Sequence, residues 1–388
     1  MNPLPEIIRR EVAQRGALSF ARFMELALYC PNHGYYETNR DNPGRRGDFY
    51  TSVGAGEVFG QLLAWQFAEW IQSNIQCPMS NVRIAEAGAH DGKLARDILA
   101  WLRDQRPELF QQVEYWIIEP SAVRQQWQRE TLNDFAPRIR WHSRFNPRSP
   151  RSDAAGRSTM QRFSGIIFSN ELLDSLPVHR FGWDAKNKEW FEWGVTVEAD
   201  KFAWTKLPNV ECGGRRADSI LPSAILNLPS SFLSVLPDGY IVETCPAAEN
   251  WWREAANALE CGKLMTIDYG LAADGMFSPG RLHGTLRAYH RHQVSGNLLA
   301  KAGEQDLTAH VNFSAIEKAG EEAGLKTESF QTQAQFLTGI LAGASKGGSA
   351  GEWSPAQVRQ FQTLTHPEHL GRAFRVLVQS RESRPLPQ

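Results

Sequence analysis

Residues 82–92 read VRIAEAGAHDG, an apolar run that ends on Glu86 and passes straight into Gly88 and Gly92, followed at 93–105 by KLARDILAWLRDQ. The first part has the composition of a strand buried on both faces. In the last, apolar residues recur three and four apart, so the stretch predicts strand, glycine turn and helix in that order. Such a turn lets backbone approach a ligand above the strand. Its spacing is G-x-x-x-G, not the G-x-G-x-x-G of dinucleotide sites, and an acid just before the glycines would repel a pyrophosphate; both disfavour a nicotinamide-dependent oxidoreductase. The Glu86 carboxylate suits instead a ligand carrying ammonium and sulfonium charge, as S-adenosylmethionine does.

Outward from this stretch the pattern repeats. EYWIIEP at 114–120 ends a second apolar run on Glu119, where a carboxylate can take both hydroxyls of a ribose. Strands are expected at 82–87, 113–119, 138–142 and 164–169, with helices at 92–105 and 121–134, the alternation of parallel βαβ units. At the end of the fourth strand, FSNELLDSLPVHRF (168–181) places Asn170, Glu171 and Asp174 at the carboxyl edge of the sheet. Should a helix begin at 171, Glu171 and Asp174 would share one face and could grip a planar guanidinium together. The alternative is that Asn170 or Asp174 caps a helix. His310, in DLTAHVNF (306–313), is a candidate base or orienting group if it faces a pocket and a satisfied core or capping residue if it does not.

The flanks read differently. Residues 1–75 form an N-terminal helical extension, with helices at 5–15, 19–30 and 57–72 around the loop GRRGDFYTS (44–52). The first part of the core occupies 76–180. An insertion at 181–238 carries the β-hairpin KEWFEWGVTVEADKFAWTKL (188–207). The core resumes at 239–270 with a strand at 239–244, a helix at 247–259 and a strand at 263–269. A polar, lid-like loop at 271–310 is too long for an idle linker, and a C-terminal part of the core at 311–388 holds a helix at 312–323 and strands at 325–331 and 373–379.

Composition bounds the function. With 388 residues, 42% of them apolar, and a net charge of -1, the chain has a sizeable core and no global field to recruit nucleic acid or an anionic membrane. No run is long and apolar enough for membrane insertion. The N-terminus lacks the apolar stretch of a secretory signal. Five cysteines, at 30, 77, 212, 245 and 261, contain no C-x-x-C and indicate neither a disulfide framework nor a zinc site, so a cytoplasmic location is expected. His290 and His292 lack a carboxylate or Cys partner at ligand spacing, and no metal is expected.

Taken together, LSFARFMELALYCPNHGYY (18–36), GDFYTS (47–52), EAGAHDGKLARDIL (86–99), FSNELLDSLPVHRF (168–181), TIDYG (266–270), GTLRAYHRH (284–292) and GEQDLTAHVNF (303–313) resemble the MidA-like family of class I methyltransferases. The resemblance implies an α/β, Rossmann-like fold with a seven-stranded, mostly parallel sheet and S-adenosylmethionine as cofactor. It also implies a protein substrate: mitochondrial members methylate an arginine on a respiratory complex I subunit and assist assembly of that complex. Carried over by motif, Asp48 and Thr51 would lie near the cofactor, Glu86, Gly88 and Gly92 would form its loop together with Ala89 and His90 between them, and Glu119 would hold the ribose; Asn170, by its place at the carboxyl edge of the sheet, is expected beside the cofactor's sulfonium. Glu171, Asp174 and His310 are then the catalytic candidates. His90 stands where the family has glycine, so a positive φ there would cost more. A non-catalytic, cofactor-binding assembly factor is the competing expectation, and the oligomeric state is left open, a homodimer being compatible.

Overall fold

The computed structural model describes residues 2–38, 40, 51–73, 82–145, 163–207, 236–278, 280–290, 293–346 and 352–382. It divides into two units: a core unit of Pro43–Leu172, Trp251–Tyr269 and Glu317–Gln388, and an accessory unit of Met1–Asn42, Leu173–Asn250 and Gly270–Ile316.

In the core unit seven strands, β1 to β7 in chain order, run Val82–Ala87, Val113–Ile118, Ile139–His142, Phe163–Asn170, Leu259–Leu271, Lys326–Thr332 and Phe374–Arg381. They are arranged 3-2-1-4-5-7-6. All run parallel except β7, which is antiparallel to both its neighbours. The expected fold class and seven-strand path are therefore present, with one addition: a two-residue strand, Val311–Asn312, pairs with Gly270 and Leu271 at the tip of β5. After β1 the chain builds outward to β3 and then returns to β4 on the other side, so β1 and β4 flank the switch point where such sheets bind ligands. Their carboxyl ends are level, Ala87 lying opposite both Ile118 and Ser169.

Apolar spacing explains the helices that cover this sheet. In Lys93–Gln105 the buried residues are Leu94, Ala95, Ile98, Leu99 and Leu102, one continuous stripe. It packs with Leu63 and Phe67 of Val58–Ser73 over Ile84, Tyr115 and Ile166. Each such side chain contributes roughly 1.5–3 kcal/mol when removed from water. Two further helices, Gln333–Lys346 and Pro355–Thr365, were not anticipated; their Phe336, Leu337, Ile340 and Leu364 join the same core.

The accessory unit has its own sheet, in the order Leu18–Ser19, Glu189–Glu198, His179–Asp184, Ile241–Thr244, with Lys201–Lys206 on the free edge of Glu189–Glu198. The hairpin is where the sequence puts it. Strand Ile241–Thr244, expected in the core sheet, belongs here instead. The cause is a long-range pairing: Gly239 N–H donates to Trp183 O and Trp183 N–H to Tyr240 O, which clamps the turn to His179–Asp184 and sets the antiparallel register. The helices Leu4–Arg15 and Phe20–Tyr29 bury Ile8, Phe20, Phe23 and Met24 in this unit. Segment 271–310 is also not the polar loop expected. It contains a three-stranded antiparallel sheet, Gln293–Ser295, Arg287–His290 and Asp306–Thr308, anchored by buried Leu286, Ala288 and Leu307. Strands of three or four residues are too short to register as alternation.

Among the described residues Cys30 and Cys245 are free and Cys261 is disulfide-bonded, which the cysteine spacing did not signal. No described helix is long and apolar enough to cross a membrane.

Candidate active site

The turn after β1 has three residues at positive φ, Gly88 (76°), His90 (44°) and Gly92 (86°). Gly92 N–H closes it by donating to Ala89 O at 2.7 Å, and Asp91, buried beside Lys93 Nζ at 2.8 Å, fixes the start of the following helix. A Cβ on Gly88 would sit 3.0 Å from Leu172 Cδ1, and one on Gly92 3.0 Å from Leu132 Cδ1. His90 bears the strain of an L-residue in the left-handed region, on the order of 1–2 kcal/mol. Two contacts hold it: its carbonyl accepts Gln128 Nε2–H at 3.0 Å, and its ring lies edge-on to Trp127.

Glu86 is 2% exposed and accepts a hydrogen bond from Tyr115 OH at 2.7 Å. Burial pushes its carboxyl up to about 8, the Tyr115 hydroxyl pulls the other way, and Asp91 and Asp97 add to the rise. Because the folded value exceeds the unfolded one, the stability this group confers is complete below the ordinary carboxylate range and is lost as pH rises towards 8. The ligand-free protein is therefore expected to melt at progressively lower temperature from pH 5 to pH 8, and Glu86→Gln to flatten that slope; an unchanged slope in the variant would show that Glu86 does not hold its proton.

Glu119, at the end of β2, is 1% exposed. Its Oε1 accepts from Ser121 N–H at 2.9 Å and from Arg124 Nε and Nη2 at 3.0 and 2.9 Å, while Gln128 Nε2 reaches Oε2 at 3.4 Å. Gln128, which the sequence did not single out, is fully buried and ties the turn to the two strands beyond it: it meets His90 O, Glu119 Oε2 and, through its own oxygen, Trp141 Nε1–H at 3.0 Å. No periodic or motif signal marks it, because one polar residue in QQWQRE resembles its exposed neighbours. Gln128→Leu is expected to cost about 2 kcal/mol of stability by stranding these groups, and to weaken S-adenosylhomocysteine binding about tenfold, read by thermal melts and calorimetry.

At the end of β4, residues 171–176 do not begin an α-helix. Glu171 has φ 52°, in the left-handed region, and only Leu173–Ser175 forms a 3-10 turn. The pairing of Glu171 with Asp174 on one helix face is thereby corrected: they also fall in different units. A left-handed non-glycine residue at a sheet's carboxyl edge is a feature of functional sites that sequence does not reveal. Its Oε1 accepts from Ser52 N–H at 3.1 Å and Asn170 Nδ2–H at 3.0 Å. Asn170 Oδ1 is buried and has no hydrogen-bond partner among the described residues. Ser52 is set by Thr51, whose Oγ1 caps the short helix Ser52–Ala55 from Gly54 N–H at 2.9 Å, and by Gln333, which accepts from Ser52 Oγ at 3.0 Å. Asp268, at the end of β5, accepts Leu172 N–H at 3.1 Å. Asp48 lies outside the described residues.

Two candidates belong to the accessory unit. Asp174 is buried and its carbonyl accepts Ala309 N–H at 2.9 Å. His310 donates its backbone N–H to Thr285 Oγ1 at 3.0 Å; burial, with help from Arg281 and Arg287, pushes its imidazole down to about 4, so the ring is neutral at pH 7. The structure thus gathers Thr51, Glu86, Gly88, Ala89, His90, Gly92, Glu119, Asn170 and Glu171 in the core unit, on or beside the carboxyl-end loops of β1, β2 and β4.

A family described as S-adenosyl-L-methionine-dependent methyltransferases matches residues 62–331. The chain belongs to this family. The methyltransferase is similar over 98% of its length to a crystal structure from Burkholderia thailandensis bound to S-adenosyl-homocysteine, at 30% identity and a TM-score of 0.79, covering 92% of that chain. Among curated relatives, the Drosophila melanogaster homolog of mitochondrial protein arginine methyltransferase NDUFAF7 is 25% identical over 406 residues, covering 96% of this methyltransferase and 84% of the relative. The Homo sapiens protein arginine methyltransferase NDUFAF7 is 26% identical over 336 residues, covering 82% and 70%. Both relatives are mitochondrial and so lend no support to the cytoplasmic expectation. The cofactor of this methyltransferase is S-adenosylmethionine, and the residues of the core unit fit it: a glycine turn at the switch point, acids ending β1 and β2, and the unsatisfied Asn170 Oδ1, an acceptor suited to an ammonium donor.

Proposed function

We propose that this methyltransferase transfers methyl to an arginine side chain of a protein, with Glu171 as the acid that meets the guanidinium. The observation that carries the reading is Glu171 itself, an acid in a strained backbone conformation whose Oε1 is fixed by two N–H donors. The names of the curated relatives, protein arginine methyltransferases, support it. In this reading Glu86 and Asn170 hold the cofactor's ammonium, Glu119 its ribose, and Thr51 and the Gly88–Gly92 turn shape its bed. Bound S-adenosylmethionine supplies an activated methyl group on a good leaving group, so the protein's task is chiefly positioning.

Glu171 binds the guanidinium through charge-assisted hydrogen bonds, localises electron density on the attacking nitrogen and takes up the proton that nitrogen sheds. Asp174, a buried carboxylate, and His310, a neutral imidazole, belong to the accessory unit and are given no step in this reading. The test is chemical: after incubation with methyl-labelled cofactor and cell extract, protein hydrolysates should contain labelled methylarginine. Label confined to another amino acid or to small molecules would overturn the arginine assignment.

A further inference from the structure

Helix Gln333–Lys346 starts from a reciprocal cap: Gln335 N–H donates to Thr332 Oγ1 at 3.2 Å, and Thr332 N–H donates to Gln335 Oε1 at 3.0 Å. The cap fixes Gln333 at the first position after β6, with its side chain fully buried. A buried carboxamide is costly unless both its ends are paired, and here both are. Gln333 Nε2–H donates to Leu364 O at 2.9 Å, and Gln333 Oε1 accepts Ser52 Oγ–H at 3.0 Å. Leu364 lies in the last turn of Pro355–Thr365, where carbonyls have no partner within the helix.

The direction of these bonds is forced. A carbonyl only accepts, so Leu364 takes the NH2 end of the amide and turns the amide oxygen towards Ser52. The Ser52 hydroxyl donates to that oxygen, while its backbone N–H donates to Glu171 Oε1 at 3.1 Å. Ser52, like Gln333, is fully buried. The last helix also holds the far end of this segment: Gln360 Oε1 accepts Val58 N–H at 3.2 Å, and a Cβ on Gly56 would fall 2.3 Å from Gln360 Cδ. Residues 51–58 are therefore tied down at both ends, by Gln333 at Ser52 and by Gln360 at Val58.

The ties converge on Glu171. Its left-handed backbone is held by Glu171 N–H donating to Ile267 O at 2.9 Å and Leu172 N–H donating to Asp268 Oδ2 at 3.1 Å. Ser52 N–H is one of the two donors that fix its Oε1, and so sets which way the second carboxylate oxygen points. A carboxylate that must meet a reacting nitrogen tolerates little error, since a displacement of about 1 Å can cost on the order of a hundredfold in rate.

We propose that Gln333 is a positioning residue for methyl transfer, which rests on the reading of Glu171 as the acid that meets the acceptor. Anchored on Leu364 O, Gln333 holds Ser52 so that Ser52 N–H fixes the Glu171 carboxylate.

Labelled methylarginine formed in one turnover, from methyl-labelled cofactor and a fixed protein fraction of cell extract, reads the rate per folded molecule. Gln333→Met, close in size but without the amide, should slow transfer about tenfold, and Ser52→Ala, which removes one buried oxygen and disturbs the fold least, about fivefold. S-adenosylhomocysteine affinity should stay the same in both. The two losses should not multiply: the double variant is expected to be no slower than Gln333→Met alone. In the Glu171→Gln background neither substitution should slow transfer further, whereas a residue that only stabilises the fold would cost the same in either background. Hydrogen exchange needs no acceptor: Gln333→Met should speed exchange of the Ser52 amide about tenfold relative to the amides of β1. Full-speed transfer by Ser52→Ala, unchanged exchange at Ser52, or equal losses in the Glu171→Gln background would overturn the proposal. Wild-type protein that labels no arginine would instead remove the Glu171 reading, and the proposal with it.

Discussion

Glu171→Gln should slow methyl transfer about a hundredfold or more, the usual range for losing a positioned acid–base group, while S-adenosylhomocysteine binds within a few-fold of wild type. The asymmetry follows from geometry. Glu171 Oε1 already accepts Ser52 N–H and Asn170 Nδ2–H. A carboxamide oxygen can accept the same two donors, so the left-handed turn and its neighbours persist. What disappears is the negative charge that a guanidinium would meet and the site that would receive its proton. Single-turnover transfer to an acceptor fraction measures the rate, and calorimetry measures cofactor affinity. Equal losses in both would mean Glu171 serves the cofactor; no loss in the rate would remove it from catalysis.

Gly88→Val is expected to abolish cofactor binding at working concentrations, an affinity loss of about two powers of ten or more. Two penalties combine. At φ 76° a β-branched residue is a backbone outlier, and its Cβ would stand 3.0 Å from Leu172 Cδ1 and 3.2 Å from Leu172 Cβ. Strain and overpacking together come to roughly 3 kcal/mol if the turn keeps its shape. If the turn relaxes instead, Leu172 moves, and with it Glu171 and the Asp268 contact to Leu172 N–H. His90→Gly is the control. The same turn then loses strain, and cofactor affinity should hold or rise; retained binding in Gly88→Val would show that the turn does not form the cofactor bed.

The core sheet was readable because parallel strands buried on both faces are short apolar runs bounded by charged or glycine residues, as VRIAEAGAHDG and EYWIIEP are. The acids at strand ends were readable for the same reason: Glu86 and Glu119 interrupt such runs at the carboxyl edge. Features set by long-range pairing were not. Ile241–Thr244 is as apolar as a core strand, and only its pairing with His179–Asp184 assigns it to the other sheet. The helix Gln333–Lys346 was hidden by Gly339 and Gly343, poor helix formers whose cost is met by packing of Phe336, Leu337 and Ile340. The helix after it carries a legible signal, Ser354-Pro355-Ala356-Gln357, which forms a full capping box. Gln128 carries no sequence signal, and Ser52 shows only as the last residue of GDFYTS, because their roles arise from contacts with His90, Glu119 and Glu171 that only the folded chain brings together.

A crystal structure of the protein with S-adenosylhomocysteine bears on all of this at once. The adenosyl group is expected over the Gly88–Gly92 turn, with the ribose hydroxyls on Glu119 and the ammonium within hydrogen-bonding distance of Asn170 Oδ1 or Glu86. Density for the compound away from the ends of β1, β2 and β4, or a turn whose Gly88 has closed over that position, would contradict it.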